Sequence, residues 1–231
     1  MSAQQPIDLH YWPTPNGWKI TIMLEELGAP YRVKYVNIRT GEQFAPDFLA
    51  IAPNNRMPAI VDPDGPGGKP ISVFESGAIL LYLGRKFGRF YPVEDERAQV
   101  AVEEWLMWQM AGFGPMLGQN HHFRSYASEK IAYAIKRYED EAHRLYGVLD
   151  RRLASHEFVA GEYSIADMAI VSWAKGYERQ GISIDEFPNV RRWRETILAR
   201  PAVIKALAVG EEKRSDLATD EAAKKILFGQ R

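Results

Sequence analysis

The chain has 231 residues, a formal net charge of −1 and a hydrophobic content of 46%. The near-neutral charge gives no indication of a nucleic-acid or acidic-membrane partner, and the length is sufficient for two small hydrophobic cores. Cysteine is absent, which excludes a protein thiol nucleophile and zinc sites of the cysteine type.

Membrane, targeting and metal-binding signals are also missing. The longest apolar run, Ala78 to Leu83, is far shorter than the roughly 20 residues of a membrane-spanning helix. The N-terminal stretch MSAQQPIDLH lacks a signal-peptide core, so we expect a soluble protein that stays in the cytoplasm. No two histidines stand three or four positions apart, and we predict no metal site.

The first third of the chain alternates strand and helix signals. IDLHYW, YRVKYVNI, PAIVDP and PISVFE have the character of strands, with the turn GPGGKP joining the last two. Between and after them lie a helix that ends at Gly28, a short helix around FAPDFLAIAP and the helix SGAILLYLGRKFG. In the first helix, apolar residues recur with helical spacing from Ile20 to Leu27. The order β-α-β-α-β-β-α predicts a small mixed four-stranded sheet with helices packed on it.

Beyond about residue 95 every strong signal is helical. The segment from Ser128 to Leu153 predicts one long helix with a single buried face, formed by Ile131, Ile135, Tyr138, Ala142, Leu145 and Leu149. In SIADMAIVSWA, Ser164 and Asp167 have the spacing of a capping box. We therefore predict a first domain over residues 1–89 and an all-helical second domain over residues 96–231, with a C-terminal tail whose last apolar residues favour docking.

The stretch YWPTPNGWKI leads from the first strand into the first helix. Thr14 is suited to cap this helix and Pro15 to its first position, which leaves Pro13, Asn16 and Gly17 unexplained. One interpretation is a stiff turn before a well-capped helix. The other is an anion site, in which free N–H groups and the side chains of Thr14 and Asn16 hold a negative atom.

Two more features of the first domain point to the same place. Pro58 stands at the entrance to a strand, where an edge position or special backbone geometry such as a cis bond is needed. Glu75 and Ser76 stand where a strand gives way to a helix, with Ser76 as its expected cap. In the predicted topology the helix starts at Thr14 and Ser76 lie on one side of the sheet, which suits a small peptide with carboxylates.

Four motifs in order carry a resemblance to a known family. They are TPNG, NNRMPAIVD, FESGAILLYL and SIADMAI, and together they resemble the glutathione S-transferase family. GPMLGQNHHF and AIKRYEDEAHRLYGVLDRRL are similar to its Nu-class members, the glutathione-dependent disulfide-bond oxidoreductases. The resemblance runs from about Ile7 to about Leu207. It implies a thioredoxin-like N-terminal domain, an all-helical C-terminal domain, and a homodimer that binds glutathione.

The resemblance also implies roles for individual residues. Thr14 and Asn16 are expected to contact the glutathione sulfur. The rest of the ligand is expected to contact Gln43 at its glycine carboxylate, the Met57 backbone beside cis-Pro58 at its cysteinyl amide, Glu75 and Ser76 at its γ-glutamyl end, and Arg137 of the other subunit. Charged residues that some relatives carry after the glutamine are absent, so Arg39 and Arg56 are further candidates for the carboxylate.

Without cysteine, a thioredoxin-like domain cannot exchange disulfides with a thiol of its own. We therefore expect glutathione to supply the reactive sulfur and a small disulfide or electrophile to be the second substrate. Disulfide reduction is our leading hypothesis, and conjugation and peroxide reduction use the same thiolate. A non-catalytic regulatory module is the alternative from another class, because the fold of these transferases also serves in a yeast nitrogen regulator.

Overall fold

In the computed structural model, the described residues are 5–214 and 220–229. The chain forms two compact units, one of Met1–Leu83 with Ala202–Arg231 and the other of Gly84–Pro201. The domain limits 1–89 and 96–231 stay predictions. The second compact unit begins at Gly84, and the segment from Ala202 onward belongs to the first unit.

The first unit is built on a four-stranded sheet. Its strands are β1 (Ile7–Tyr11), β2 (Tyr31–Tyr35), β3 (Ala59–Asp62) and β4 (Ile71–Phe74). They lie in the order β2-β1-β3-β4, with β1 parallel to β2 and the other two pairings antiparallel. The accompanying helices are α1 (Pro15–Leu27), α2 (Pro46–Leu49) and α3 (Ser76–Phe87). The predicted element order and the thioredoxin-like fold are confirmed.

The core of the first unit includes buried side chains of β1 and α1, and a separate cluster around Phe48 of α2. In β1 the inward-facing side chains of Ile7, Leu9 and Tyr11 are fully buried, and they alternate with partly exposed ones, as expected for a strand with one covered face. From α1, Ile20 and Met23 of the predicted apolar stripe are fully buried, but residues 17–24 are all buried, so this part of the helix is covered on every side and not on one stripe alone.

The second unit is helical. Its helices are α4 (Glu96–Trp108), α5 (Gly114–His121), α6 (Ala132–Leu153), α7 (Ile165–Ala174) and α8 (Pro188–Leu198). Two π-helical turns, Gln109–Phe113 and His122–Tyr126, flank α5. The chain continues into α9 (Pro201–Ala208) and α10 (Glu221–Phe228).

Helix α6 differs from its prediction at the N-terminal end. It begins at Ala132 rather than Ser128, and the side chain of Ile131 is 41% exposed. Burial is complete only further along, where Leu145 and Leu149 pack inward. The apolar spacing identified the correct face, but within the chain only the C-terminal half of that face is covered.

The predicted capping box at the start of α7 is confirmed. The Ser164 hydroxyl accepts from the Ala166 N–H at 3.3 Å, and the Asp167 carboxylate accepts from the Ser164 N–H at 3.1 Å. Asp167 also accepts from the Val159 N–H at 3.0 Å and from the Trp193 indole at 2.8 Å. This one carboxylate therefore ties the start of α7 to a preceding loop and to α8.

The C-terminal segment contacts the rest of the first unit, although Phe228, at the apolar end on which the docking prediction was based, is 41% exposed. The Tyr11 hydroxyl donates to the Val209 carbonyl at 3.1 Å, and the Arg214 guanidinium lies 5.1 Å from the centre of the Trp18 ring. Further along, Asp220 forms a salt bridge with Arg39. The segment after α9 is thus attached to β1, α1 and the loop after β2.

Candidate functional site

One edge of the sheet gathers the sequence-predicted site segments of the first unit. Tyr11 of β1 pairs with Tyr35 of β2, His10 pairs with Ala59 of β3, and Ala59 pairs with Phe74 of β4. The ends of β1, β2 and β4 therefore lie beside the start of β3. The predicted residues in the segments leaving or entering the strands at this edge are Thr14, Asn16, Gln43, Met57, Pro58, Glu75 and Ser76.

Thr14 caps α1 as predicted. Its hydroxyl accepts from the Gly17 N–H at 3.3 Å, its carbonyl accepts from the Trp18 N–H at 2.9 Å, and Pro15 occupies the first helical position. A Cβ on Gly17 would stand 2.3 Å from the Trp12 carbonyl oxygen, so no larger residue fits there. The glycine and one proline of the turn thus have structural roles, and the hydroxyl of Thr14 serves the cap.

The Thr14 hydroxyl also has room to act as a donor. Its oxygen lies 3.4 Å from the Trp12 carbonyl oxygen, which is longer than an ordinary O–H···O hydrogen bond, and 3.7 Å from the Met57 sulfur, which is a weak acceptor. A hydroxyl carries one proton and two lone pairs. Thr14 can therefore keep its cap bond to Gly17 while turning its proton toward a stronger acceptor.

Met57 and Pro58 enter β3 beside the start of α1. The bond between them is cis, which confirms the special geometry predicted at the strand entrance. The contact between the Thr14 hydroxyl and the Met57 sulfur joins this segment to α1. Two of the predicted segments are therefore neighbours in space.

Glu75 and Ser76 stand at the start of α3, with one difference from the prediction. The Ile79 N–H donates to the Glu75 carbonyl at 2.9 Å, so Glu75 occupies the cap position and Ser76 is the first helical residue. Glu75 has φ of 69°, a left-handed conformation that is uncommon outside glycine and concentrates at functional sites. Its carboxylate is exposed and accepts from the Asn54 amide at 3.2 Å.

A buried lysine contacts this helix start. Lys19 of α1 is 1% exposed, and its Nζ donates to the Ser76 hydroxyl oxygen at 3.3 Å. Burial lowers the pKa of Lys19 to about 7, while the charge of Glu75 opposes this change. Residues 17–24 form an uninterrupted buried run, and a lysine inside such a run is the sequence signal that was missed.

Gln43 lies in the short 3-10 helix Glu42–Phe44 and is 1% exposed. Its Nε2 lies 3.4 Å from the Ile38 carbonyl oxygen, and its Oε1 has no hydrogen-bond partner among the described residues. An unsatisfied amide oxygen is an acceptor and a carboxylate offers no donor, so a glycine carboxylate would have to be bound by Nε2, whose hydrogen bond to Ile38 is long. The contact of Gln43 with the glycine carboxylate stays a prediction.

The arginines suggested for the ligand are in different settings. Arg39 is held by Asp220, with its Nε 3.1 Å from the carboxylate, so it already has an anionic partner. Arg56 is exposed beside Met57. Arg137 belongs to the second unit, where it is exposed on α6 and helps to lower the pKa of Glu141 after the larger effect of Arg144. The predicted ligand contacts of Arg56 and Arg137 stay predictions.

Comparison with known proteins establishes the class. The family model for the glutathione S-transferase N-terminal domain matches residues 14–86, and the model for the C-terminal domain matches residues 107–201. The chain belongs to the glutathione S-transferase family. The resemblance stated from the sequence motifs is confirmed, as is the combination of a thioredoxin-like sheet with a helical domain.

Particular relatives are similar over nearly the whole chain. The Escherichia coli (strain K12) protein named disulfide-bond oxidoreductase YfcG is 50% identical over 91% of this chain and 99% of that protein. A glutathione transferase from Pseudomonas putida, solved with one glutathione disulfide bound per subunit, has a TM-score of 0.86 and 40% identity, covering 91% of this chain and 94% of that one. The transcriptional regulator URE2 of Saccharomyces cerevisiae is 37% identical over 84% of this chain and 65% of that protein.

Two absences hold for the part of the chain that the structure describes. Among these residues no three His, Cys, Asp or Glu side chains are grouped so that they could hold a metal ion. Nor does any described helix combine the length and apolar character needed to cross a bilayer.

Proposed function

We propose that this chain is a glutathione-dependent disulfide-bond reductase of the glutathione transferase family. The observation that carries the proposal is the Thr14 hydroxyl, which lies at the N-terminus of α1, 3.7 Å from the Met57 sulfur, in a chain without cysteine. The names of the similar proteins support it, since one is a disulfide-bond oxidoreductase and another binds glutathione disulfide. The protein then supplies donors for a thiolate, and the substrate glutathione supplies the sulfur.

The magnitudes are consistent with this division of labour. A free thiol has a pKa of about 8.5, and lowering it by roughly two units requires about 2.7 kcal/mol of preferential stabilisation of the thiolate. A partly buried helix N-terminus contributes up to about 2 kcal/mol, and one hydrogen bond to a charged atom about 1.5 to 3 kcal/mol. A hydroxyl donor at the start of α1 therefore suffices without a basic side chain.

The reaction is a sequence of two thiol–disulfide exchanges. The thiolate of one glutathione attacks a sulfur of the disulfide substrate, which forms a mixed disulfide and releases the other half as a thiolate. A second glutathione thiolate attacks the glutathione sulfur of the mixed disulfide. The products are glutathione disulfide and the second substrate thiolate, and no outside oxidant or reductant is needed.

The other site residues hold the peptide. Ser76 and the N–H groups at the start of α3 suit the γ-glutamyl carboxylate, and the Glu75 carboxylate suits the γ-glutamyl amine. Met57, before the cis bond, offers its backbone to the cysteinyl amide, and Gln43 offers its amide to the glycine carboxylate. A homodimer, in which Arg137 reaches the ligand of the partner subunit, and a cytoplasmic location belong to the same proposal.

Replacement of Thr14 tests the proposal. We expect Thr14→Ala to lower turnover at pH 7 on the order of tenfold and to raise the pH at which activity appears by about one unit, because the charged sulfur loses one donor. Activity with 2-hydroxyethyl disulfide and glutathione is measured from pH 5.5 to 9. Thr14→Ser keeps both the donor and the cap and is expected to retain the wild-type profile.

Because Thr14 also caps α1, thermal unfolding is measured for both variants. Loss of the cap costs about 1 kcal/mol, which leaves the fold intact. Full activity of Thr14→Ala at neutral pH would show that another group stabilises the thiolate. A parallel assay with a chloronitrobenzene ranks conjugation against disulfide reduction, and predominant conjugation would reverse the order proposed.

The similarity to URE2 favours a second candidate, a regulatory module without this catalysis. Calorimetric titration with glutathione and with glutathione disulfide separates the two. Failure of both ligands to bind would favour the module. Binding together with turnover of the disulfide substrate would favour the reductase.

A further inference from the structure

Lys19 is a buried lysine whose amino group contacts Ser76 at the start of α3. Its side chain is 1% exposed, its Nζ lies 3.3 Å from the Ser76 hydroxyl oxygen, and Ser76 itself is 4% exposed. An ammonium group at such a position requires an anionic or strongly polar partner, because burial disfavours the charge. Burial indeed lowers the pKa of Lys19 to about 7, and the charge of Glu75 acts in the opposite direction.

The chemistry of this contact fixes the direction of the hydrogen bond. A lysine ammonium carries three donors and no acceptor, so the Ser76 oxygen accepts from Lys19 in the charged state. The hydroxyl proton of Ser76 is then directed away from Lys19. A serine hydroxyl that accepts from a cation is a better donor to an anion on its other side, because hydrogen bonds in a chain polarise one another.

We propose that Lys19 is a positioning residue that makes Ser76 and the start of α3 selective for a ligand bearing an α-carboxylate at its γ-glutamyl end. The inference rests on the proposed function, since it concerns the same ligand. Lys19 does not touch the ligand: it acts through Ser76 and through its positive charge. Glu75, on the adjacent residue, supplies the opposite charge for the amine of the same amino-acid group.

The proposed function already assigns the γ-glutamyl end of glutathione to Ser76 and Glu75, and Lys19 adds a preference for its α-carboxylate. A free α-amino acid carries a carboxylate and an ammonium group on one carbon, and the positive charge of Lys19, acting through Ser76, and the negative charge of Glu75 match those two groups. Thiols with a free γ-glutamyl end are accepted, and thiols lacking the α-carboxylate are discriminated against. A lysine that served only the packing of α1 would have no influence on this choice.

The test compares two ligands on matched variants by calorimetry. The ligands are glutathione and 4-aminobutyryl-cysteinyl-glycine, which has the same chain without the α-carboxylate. The variants are Lys19→Met, which keeps the length and loses the charge, Lys19→Arg, which keeps the charge, and Lys69→Met, which removes an exposed lysine in the turn before β4. Lys19→Gln is the second neutral variant, used if Lys19→Met does not fold.

The expected result is a loss of discrimination. Wild type and Lys69→Met should bind glutathione more tightly than the analogue, and Lys19→Met should bind glutathione on the order of tenfold more weakly with its affinity for the analogue nearly unchanged. Lys19→Arg should keep most of the preference. In steady-state assays the loss should appear in KM for glutathione, with kcat at saturation close to wild type.

Four outcomes would overturn the inference. If Lys19→Met binds both ligands more weakly by the same factor, Lys19 has a structural role. If both affinities are unchanged, Lys19 has no influence on ligand binding. Wild-type binding of both ligands with equal affinity would mean that the α-carboxylate is not recognised, although the proposed function would survive. If wild type binds neither ligand, the proposed function fails together with the inference, so the two failures are distinguishable.

Discussion

At the residue scale, Thr14 and Lys19 differ in how a residue of the candidate site affects the stability of the fold. Thr14 lies where a helix cap is needed in any case, so its hydroxyl stabilises α1 and remains available to a ligand. Lys19 is different, because a buried ammonium group opposes folding unless it is compensated. Its presence beside Ser76 therefore has a cost in stability that a packing role alone would not explain.

That cost predicts how stability depends on pH. The pKa of Lys19 is about 7 in the folded protein and about 10.5 when unfolded, so between these values the unfolded state holds one more proton. The destabilisation is complete below pH 7 and is relieved as pH rises. We expect the unfolding free energy of wild type, relative to Lys19→Met, to rise between pH 7 and 9 with a slope of up to about 1.4 kcal/mol per unit.

Urea unfolding at several pH values measures this difference. Lys69→Met serves as the control, because the Lys69 side chain is exposed and its removal should leave the pH dependence of the unfolding free energy unchanged. If the difference in unfolding free energy between wild type and Lys19→Met also stays constant with pH, the cost of burying the Lys19 charge is offset by its neighbours in the ligand-free protein. In that event the carboxylate preference would remain to be judged by the two-ligand titration.

Much of the candidate site could be predicted from local sequence, and the reason is local geometry. Thr14 is recognisable from its proline neighbours, and Pro58 from its place before a strand. Lys19 could not be recognised in this way, because its partner Ser76 lies 57 positions away and only the packing of α1 beside α3 brings them together. The same holds for Asn54, whose contact with Glu75 depends on how two loops meet.

At the scale of elements, the start of α7 shows how one side chain organises its neighbours. The two oxygens of Asp167 accept four hydrogen bonds: Oδ1 from the Val159 N–H and the Trp193 indole, and Oδ2 from the N–H and hydroxyl of Ser164. All of these groups are buried around a side chain that is fully inaccessible. An arrangement with only donors pointing inward requires a group with only acceptors.

Asp167→Asn tests this requirement. An amide presents an NH2 group on one side, so at least one pair of buried donors would face another donor, and we expect a loss of about 3 kcal/mol in unfolding free energy. Urea unfolding measures the loss. Ser164→Ala, which removes only the hydroxyl, should cost about 1 kcal/mol. Similar costs for the two variants would show that the amide is accommodated without a donor clash.

The C-terminal helix marks the limit of prediction at this scale. The apolar end of the chain predicted docking, but a period of apolar residues does not identify the surface that covers them. In the structure Ala223 is 1% exposed, and Ile226 lies 3.7 Å from where a Cβ on Gly41 would stand. The partner surface is the loop that leads to Gln43, and the ion pair between Arg39 and Asp220 joins residues 181 positions apart.

At the scale of the whole molecule, the predicted glutathione contacts fall in both compact units. Thr14 and the other sheet-edge residues belong to the first unit, and Arg137 belongs to the second. Arg137 is exposed on α6, near the end whose apolar residues Ile131 and Tyr133 are left uncovered within the chain. Whether Arg137 contacts the ligand of a partner subunit must be tested on the dimer, because a single chain does not contain that contact.

Subunit complementation decides this question. Arg137→Ala and Thr14→Ala are co-expressed with different affinity tags, and the heterodimer is purified through both. If Arg137 acts across the dimer, the subunit with an intact Thr14 receives an intact Arg137 from its partner, and that site is fully wild type. Assayed with glutathione well below its KM, where both single variants are impaired, the heterodimer should then show about half of wild-type disulfide reductase activity, one restored site in two.

An arginine that acted within its own subunit would give a different result, because each site of the heterodimer would then carry one defect. Its activity would equal the mean of the two parent homodimers, and no restoration would be seen. Lys136→Ala is the matched control, since the neighbouring lysine is paired with Asp140 on the same helix at 2.7 Å. That variant should keep the wild-type KM for glutathione, whereas Arg137→Ala should raise it on the order of tenfold through loss of one charge-assisted contact.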